Sequence, residues 1–343
     1  MEPSTRQSDA ENMNNQGPYR EGIRSAYFKT ITKAKSADAP DIIQHTDVKL
    51  NWTSYREHLL RYLENPEPRP EFVELIEKPK NDIAVRPIAR FDIRDRLTYE
   101  TLVYSIADAI DGHVSMNVFS SPWKRPGLDF RNPVNSWLTM HKQGYRMLRK
   151  HANSQLARTD IVSFYENVDT GTLRTDLDTV HADPRIANQI CAFLDGFQQR
   201  GQAWGLPQGC DASGILANLY LLPIDELVEQ QGVGYLRYSD DMLLIDESWE
   251  ALRSALLEIN RGLRGRRMSM SSTKTKIYDR DGSIEQLDNT IKDAISYGLR
   301  ASLPGTLEAL YELIVSATEG DIVNDRDIKF SFAGSAIEVI PGQ

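Results

Sequence analysis

The sequence predicts an α+β fold in which a small antiparallel sheet is backed by helices. Three observations carry the prediction. Apolar residues recur at helical spacing in several segments, most regularly Trp249, Leu252, Leu256, Ile259 and Leu263. The stretch "YLRYSDDMLLI" (235–245) is two apolar arms meeting at a Ser-Asp-Asp turn, the pattern of a β-hairpin. From about 157 to 279 the order is strand, helices, strand–turn–strand, helix, strand, which closes as one antiparallel layer against helices.

Taken in order, residues 1–40 are polar without lasting periodicity and are expected to be flexible. "NWTSYREHLLRYL" (51–63) predicts a short amphipathic helix stopped by "NPEPRP". "NDIAVRPIARFDI" (81–93) is extended or hairpin-like. Tyr99, Val103, Ile106 and Ile110 mark a helix over 94–111, followed by Gly112. "FSSPWKRPGLDFRNP" (119–133) is a Pro/Gly loop, and Val134, Trp137, Leu138, His141, Tyr145 and Leu148 mark the next helix. "ARTDIVSFY" (157–165) predicts a strand, helices run to about 200, and "ASGILANLYLL" (212–222) is an apolar helix closed by Pro223. Ser248 is the expected N-cap of the helix beginning at Trp249, and "TKTKIYD" (273–279) is a short strand.

Composition narrows the function classes. With 343 residues, 40% hydrophobic, the chain can bury a substantial core as one large lobed domain or two smaller ones. It has no run of 18 or more apolar residues, so no membrane partner is expected. The polar N-terminus is unlike a secretory signal, and the two cysteines, Cys191 and Cys210, suit a reducing, cytoplasmic setting. Six scattered histidines show no zinc spacing, so any metal would be held by oxygen ligands. The net charge of −9 argues mildly against a nucleic-acid binder, but it is uneven. Residues 281–343 hold 11 acidic against 4 basic residues, a net of −7, leaving −2 for the rest. That rest includes basic clusters at Arg261, Arg264, Arg266, Arg267, Lys274 and Lys276, and at Arg146, Arg149, Lys150 and Arg158, which have meaning only if they flank a site.

Asp240 and Asp241 alone suit an ordinary surface turn. The topology, however, lets Asp160 on the first strand lie beside them. Three converging carboxylates repel unless a cation sits between, and magnesium prefers such oxygen ligands together with substrate phosphates. Two such ions about 3.5–4 Å apart clamp the attacking and leaving oxygens of a phosphoryl displacement.

At these residues the sequence resembles the reverse transcriptases. "YSDD" (238–241) between apolar arms is similar to their Tyr-x-Asp-Asp signature, "DIVSFY" (160–165) to their first palm motif, and "LPQG" (206–209) with the helix after it to their Leu-Pro-Gln-Gly segment. Lys274–Thr275 resembles the Lys of the next palm motif, "RPIARFDIRDRL" (86–97) the fingers motifs, and "FSSPWKRPG" (119–127) the loop that follows them in bacterial enzymes. The motifs stand in order over about 78–280, in the style of the group II intron, retron and abortive-infection or defence-associated lineage; the last is the best match by elimination.

The resemblance implies a right-hand polymerase. An N-terminal extension (1–68) would precede fingers (69–155) and palm (156–285), and a short acidic C-terminal region (286–343) would serve as a reduced thumb or docking segment. It implies an RNA-directed DNA polymerase using two Mg2+ ions, with Mn2+ as a possible substitute, on dNTPs, an RNA template and a DNA or RNA primer. It implies Asp160, Asp240 and Asp241 as catalytic metal ligands, with the Ile161 carbonyl as a further ligand. Tyr165 would exclude the 2′-hydroxyl of a ribonucleotide, the alternative being a core tyrosine; Phe164 belongs to the core. Gln208, with Pro207 and Gly209, would pack on the nucleotide, the alternative being a structural loop. Arg86 would bind the triphosphate, with Lys78 and Lys80 as weaker candidates; Arg90, Arg94 and Arg96 are open between nucleotide, template and salt bridges. Lys274 would stabilise the leaving pyrophosphate, the alternative being a solvated basic run, and Tyr238 and Ser239 would shape the turn.

Rival readings are a template-independent or protein-primed polymerase, a non-catalytic nucleic-acid-binding scaffold, and a cyclase-type enzyme. The intact carboxylates and Gln208 disfavour the scaffold, and Leu-Pro-Gln-Gly disfavours the cyclase. The family's helical thumb has little counterpart, since only about 40 residues follow "SLPG" (302–305) and they are acidic. Three readings fit: a chain cut short, a reduced thumb relying on the basic run at 261–276, or a tail that docks on another subunit or a structured non-coding RNA. The expectation is an assembly, either a homo-oligomer or an RNA complex.

Overall fold

The computed structural model describes residues 17–31, 45–79, 83–124, 133–201 and 203–300, with a few helical residues at 306–307 and 310–311. Lys80 and most of the acidic tail after residue 305 lie outside the described residues. The chain divides into two compact units that interleave in sequence: Met1–Val114, Ser163–Pro223 and Arg264–Met268 form one, and Ser115–Val162, Ile224–Leu263 and Ser269–Gln343 the other.

The first unit begins with helix α1 (Arg20–Ala26) and a π-helical turn (Tyr27–Ile31). Part of the N-terminal segment expected to be flexible is therefore ordered. Its reason is packing against α4 (Ile93–Asp111): Tyr19, Ile23, Ala26 and Ile31 are buried, and the Thr30 hydroxyl donates to Glu100. Gly22 permits the approach, because a Cβ there would overlap the Ser105 hydroxyl and the Thr101 carbonyl. Between them come α2 (His45–Leu50) and α3 (Trp52–Leu63), the second matching the amphipathic segment in the sequence.

Strands β1 (Val73–Pro79) and β2 (Val85–Phe91) form an antiparallel hairpin with Val73 opposite Phe91 and Pro79 opposite Val85. The extended segment read at 81–93 is one arm of this hairpin, and its partner lies upstream. Asp95 joins the hairpin to α4 by accepting the backbone N–H groups of Glu71 (2.8 Å) and Phe72 (3.0 Å), and burial pushes its carboxyl up to about 6. The core is aromatic: Tyr99 stacks on Phe193 at 5.2 Å, Phe91 lies 5.6 Å from Phe193, and the Tyr99 hydroxyl meets Ser213 Oγ at 3.0 Å.

The second unit holds a four-stranded antiparallel sheet in the order β4 (Gly234–Tyr238), β5 (Asp241–Asp246), β3 (Gln155–Thr159), β6 (Lys276–Tyr278). Side chains alternate across it. Leu236, Leu243, Ile245 and Leu156 face one way and pack with Met140 and Leu148 of α5 (Pro133–Arg149) and Leu287 of α10 (Arg280–Arg300). Helix α9 (Trp249–Gly265) buries Leu252, Leu256, Ile259 and Leu263 of the stripe the sequence showed and leaves Trp249 exposed, and the Ser248 hydroxyl caps it by accepting the Ala251 N–H at 3.2 Å.

Two boundaries differ from the sequence reading. The strand expected over 157–165 ends at Thr159, and a turn and a short 3₁₀ segment (Tyr165–Asn167) follow. The helix expected to close at Pro223 is α8 (Asp211–Glu229), which runs through it. Proline removes one helical hydrogen bond, but Ile224 and Val228 beyond it are fully buried, and that apolar burial outweighs the loss. Helices α6 (Thr170–Thr179) and α7 (Pro184–Gly201) complete the first unit.

Candidate active site

The second unit gathers the acidic residues. Tyr238 pairs with Asp241, so β4 and β5 are joined by the two-residue turn Ser239–Asp240. Ser239 takes a left-handed backbone (φ 56°), a position where such turns favour glycine. Arg237 holds this strained residue from beneath: its Nη1 donates to the Ser239 carbonyl at 2.9 Å. Arg237 itself is fully buried. Its Nε and Nη2 donate to Asp225 Oδ1 and Oδ2 at 2.7 and 2.6 Å, and the Tyr235 hydroxyl donates to Asp225 Oδ1 at 2.6 Å. Its backbone is pinned as well, N–H to the Asn117 carbonyl and carbonyl to the Phe119 N–H, both 2.8 Å.

Strand β3 runs beside β5 with Thr159 opposite Met242, so the next position along brings Asp160 to the turn. Asp160 is buried, and its carboxylate accepts the Lys274 ammonium at 2.6 Å. Lys274 sits in a loop fixed by the Thr275 hydroxyl, which donates to the Ser271 carbonyl (2.6 Å) and meets Thr159 Oγ1 at 2.7 Å. Ile161 bridges Met270, flanked by bonds from Ser271 N–H to the Asp160 carbonyl (2.8 Å) and from Val162 N–H to the Ser269 carbonyl (2.9 Å). In an antiparallel pair of this wide type, the middle residue's own N–H and C=O point away from the partner segment. The Ile161 carbonyl is thus directed outward, as a ligand requires.

Burial, and next the charge of Asp160, push the Asp240 carboxyl up to about 6. A cation between the two carboxylates would remove that cost. Asp241 is differently placed, because Arg158 donates to both its oxygens (2.9 and 3.1 Å from Nη2, 3.1 Å from Nε). Among the described residues no three Asp, Glu, His or Cys side chains form a metal cage. The expected trio of ligands is thus not assembled: Asp241 lies at the same edge but is held by Arg158. Asp160, Asp240 and the Ile161 carbonyl do fit a magnesium ion, which commonly takes one or two carboxylates and completes its shell from substrate phosphates and water.

The first unit gathers the remaining predicted residues. The Tyr165 carbonyl accepts the Leu206 N–H at 2.8 Å, and Gly205 (φ 70°) passes so close that a Cβ would overlap that carbonyl oxygen. Gln208 accepts the Ala89 N–H of β2 on its carbonyl (2.8 Å), and its amide donates to Glu166 Oε1 at 3.3 Å. The Leu-Pro-Gln-Gly loop is thereby fixed between the Tyr165 turn and the hairpin. Phe164 is buried, as expected of a core residue, whereas Tyr165 is only half-buried. Arg86 lies on β2 directly opposite Lys78 on β1. Two cationic side chains therefore share one face of the hairpin. Arg90 pairs with Glu74 (3.3 Å), Arg94 with Asp92 (3.1 Å) and Arg96 with Glu100 (2.9 Å), so all three form salt bridges in this structure.

Much of the basic run at 261–276 is likewise engaged: Arg261 with Glu258, Arg266 with Asp176, Arg267 with Asp169 (3.4 Å) and Lys274 with Asp160. Sequence reasoning missed the Asp225–Arg237 pair and placed Arg158 in a basic cluster. The available signal was a single arginine inside each of two strands that are otherwise uncharged, one or two residues before a motif aspartate or tyrosine.

A family model described as reverse transcriptase (RNA-dependent DNA polymerase) matches residues 78–293, nearly two thirds of the chain. No curated protein matches it.

Proposed function

The chain belongs to the reverse transcriptase family and is an RNA-directed DNA polymerase, a nucleotidyltransferase, and from that premise we propose how its residues divide the work. The observation that carries the reading is the pair Asp160 and Asp240, two carboxylates at one sheet edge beside an outward-facing Ile161 carbonyl. These three groups hold Mg2+, with Mn2+ as a substitute. When bound, the metal lowers the pKa of the primer 3′-hydroxyl and neutralises charge on the phosphates, in the two-metal manner. Lys274, a three-donor point charge on a flexible stem, leaves Asp160 to meet the pyrophosphate. Arg86 and Lys78 bind the triphosphate as a paired cationic site, and Gln208 presents its amide to the sugar or phosphate.

The direct test is extension of a primer on an RNA template with all four dNTPs and Mg2+; a purified protein that incorporates no dNTP on any template sinks the reading. Tyr165 is the sugar gate within it. Tyr165→Ala is expected to weaken discrimination against ribonucleotides about 10–200-fold, the range of a methylene-scale steric contact. Unchanged discrimination in an active variant places the gate elsewhere.

The reading extends to an assembly. The acidic segment 281–343 repels phosphates, and the ion pairs of the basic run leave it a poor grip on a duplex. A second copy or a structured RNA supplies that grip. Light scattering before and after nuclease treatment checks it: an RNA-free monomer that is still processive excludes the assembly. A role in antiphage defence rests on motif style alone, and equal phage plating on cells carrying wild type or Asp240→Asn would exclude it.

A further inference from the structure

Asp240 and Asp241 are neighbours in sequence but not in surroundings. Asp241 continues the column Ile245, Leu243, Asp241 on the sheet face packed by α5 and α10. Arg158 stands on the same face of β3, opposite Leu243 and hence diagonal to Asp241, a spacing that long side chains bridge. Its planar guanidinium engages both carboxylate oxygens through three donor contacts of 2.9–3.1 Å. Such forks are strong and geometrically selective, and each partner is only 25% exposed, so solvent screens the pair weakly. On its other side Arg158 lies directly opposite Lys276 of β6. Turning Asp241 toward a cation would leave Arg158 facing Lys276 without its own carboxylate partner, and would bring a second positive centre near the guanidinium.

We propose that Arg158 holds Asp241 as its own counter-ion and so withdraws it from the metal-ligand set, leaving Asp160, Asp240 and the Ile161 carbonyl to bind the divalent cation. Arg158 is then a positioning residue. This rests on the metal reading of Asp160 and Asp240 given above.

The test is Mn2+ binding to the purified protein alone, followed by electron paramagnetic resonance without nucleotide or nucleic acid. Asp160→Asn and Asp240→Asn are each expected to weaken binding tenfold or more. The charge-balanced variant Arg158→Met/Asp241→Asn removes both partners at unchanged net charge and is expected to stay within threefold of wild type. Arg158→Met alone frees Asp241 and is expected to tighten binding threefold or more; it reads the same question should the double variant fail to fold. A loss beyond threefold in the double variant, or no tightening in Arg158→Met, overturns the withdrawal. Unchanged binding in Asp160→Asn and Asp240→Asn overturns the underlying metal assignment instead, so the two failures are distinguishable.

Discussion

Asp240→Asn is expected to reduce dNTP incorporation at least about 10³-fold, the equivalent of roughly 4 kcal/mol of lost charge stabilisation at a metal site. The loss should not be a folding defect, and the protein's own electrostatics supply the control. The folded-state carboxyl is raised to about 6 from an ordinary value of 3.8, by burial and then by the charge of Asp160. A raised acid binds its proton more tightly in the folded state, so ionising it weakens the fold. The penalty is complete above about pH 6, shrinks as pH falls toward 3.8 and vanishes where both states are protonated. Removing the charge should therefore stabilise the metal-free protein by about 1–3 kcal/mol at pH 7–8 and by much less near pH 4. An inactive variant that melts higher than wild type in chelator at pH 7.5 is the expected result. One that extends a primer at the wild-type rate refutes the assignment of this turn, and one that melts lower refutes the buried-charge cost instead.

The stabilisation is not what the sequence implied. Ser-Asp-Asp between apolar arms predicts an exposed turn whose charges matter little to the fold. The hairpin and the approach of Asp160 to its turn were legible, because element order leaves few ways to close the sheet. Tyr165 and Gln208 were legible as motif residues, and the hairpin that brings Lys78 opposite Arg86 was half legible, since only one arm was read as extended. The depth at which Asp240 sits was not legible, nor was the partner of Asp241. Both depend on which long side chain crosses a neighbouring strand, and a pattern of apolar and polar residues does not encode that. The continuation of α8 through Pro223 was hidden for a similar reason: local propensity argues for a stop, and burial of Ile224 and Val228 overrules it.

Arg237→Met is expected to lower stability by about 3–5 kcal/mol, a fall in melting temperature on the order of 10 °C, because it strands Asp225 as a buried, uncompensated charge. The compensating variant Arg237→Met/Asp225→Leu removes both charges and should recover part of that stability, since apolar residues replace buried ion pairs at little cost while the buried Tyr235 hydroxyl loses its acceptor. Activity should behave differently. Arg237 also donates to the Ser239 carbonyl, and Ser239 holds a left-handed backbone that non-glycine residues adopt only under constraint. Without that donor the turn relaxes and Asp240 drifts from Asp160, whatever the state of the core. The double variant should therefore fold better than Arg237→Met yet remain impaired in primer extension by about 10-fold or more, as a displacement of about 1 Å at a reacting centre can cost. The measurement is paired: melting temperature and incorporation rate on the same preparations of wild type, Arg237→Met and the double variant. If activity returns together with stability, Arg237 is a core residue only, and the strained turn keeps its shape without it.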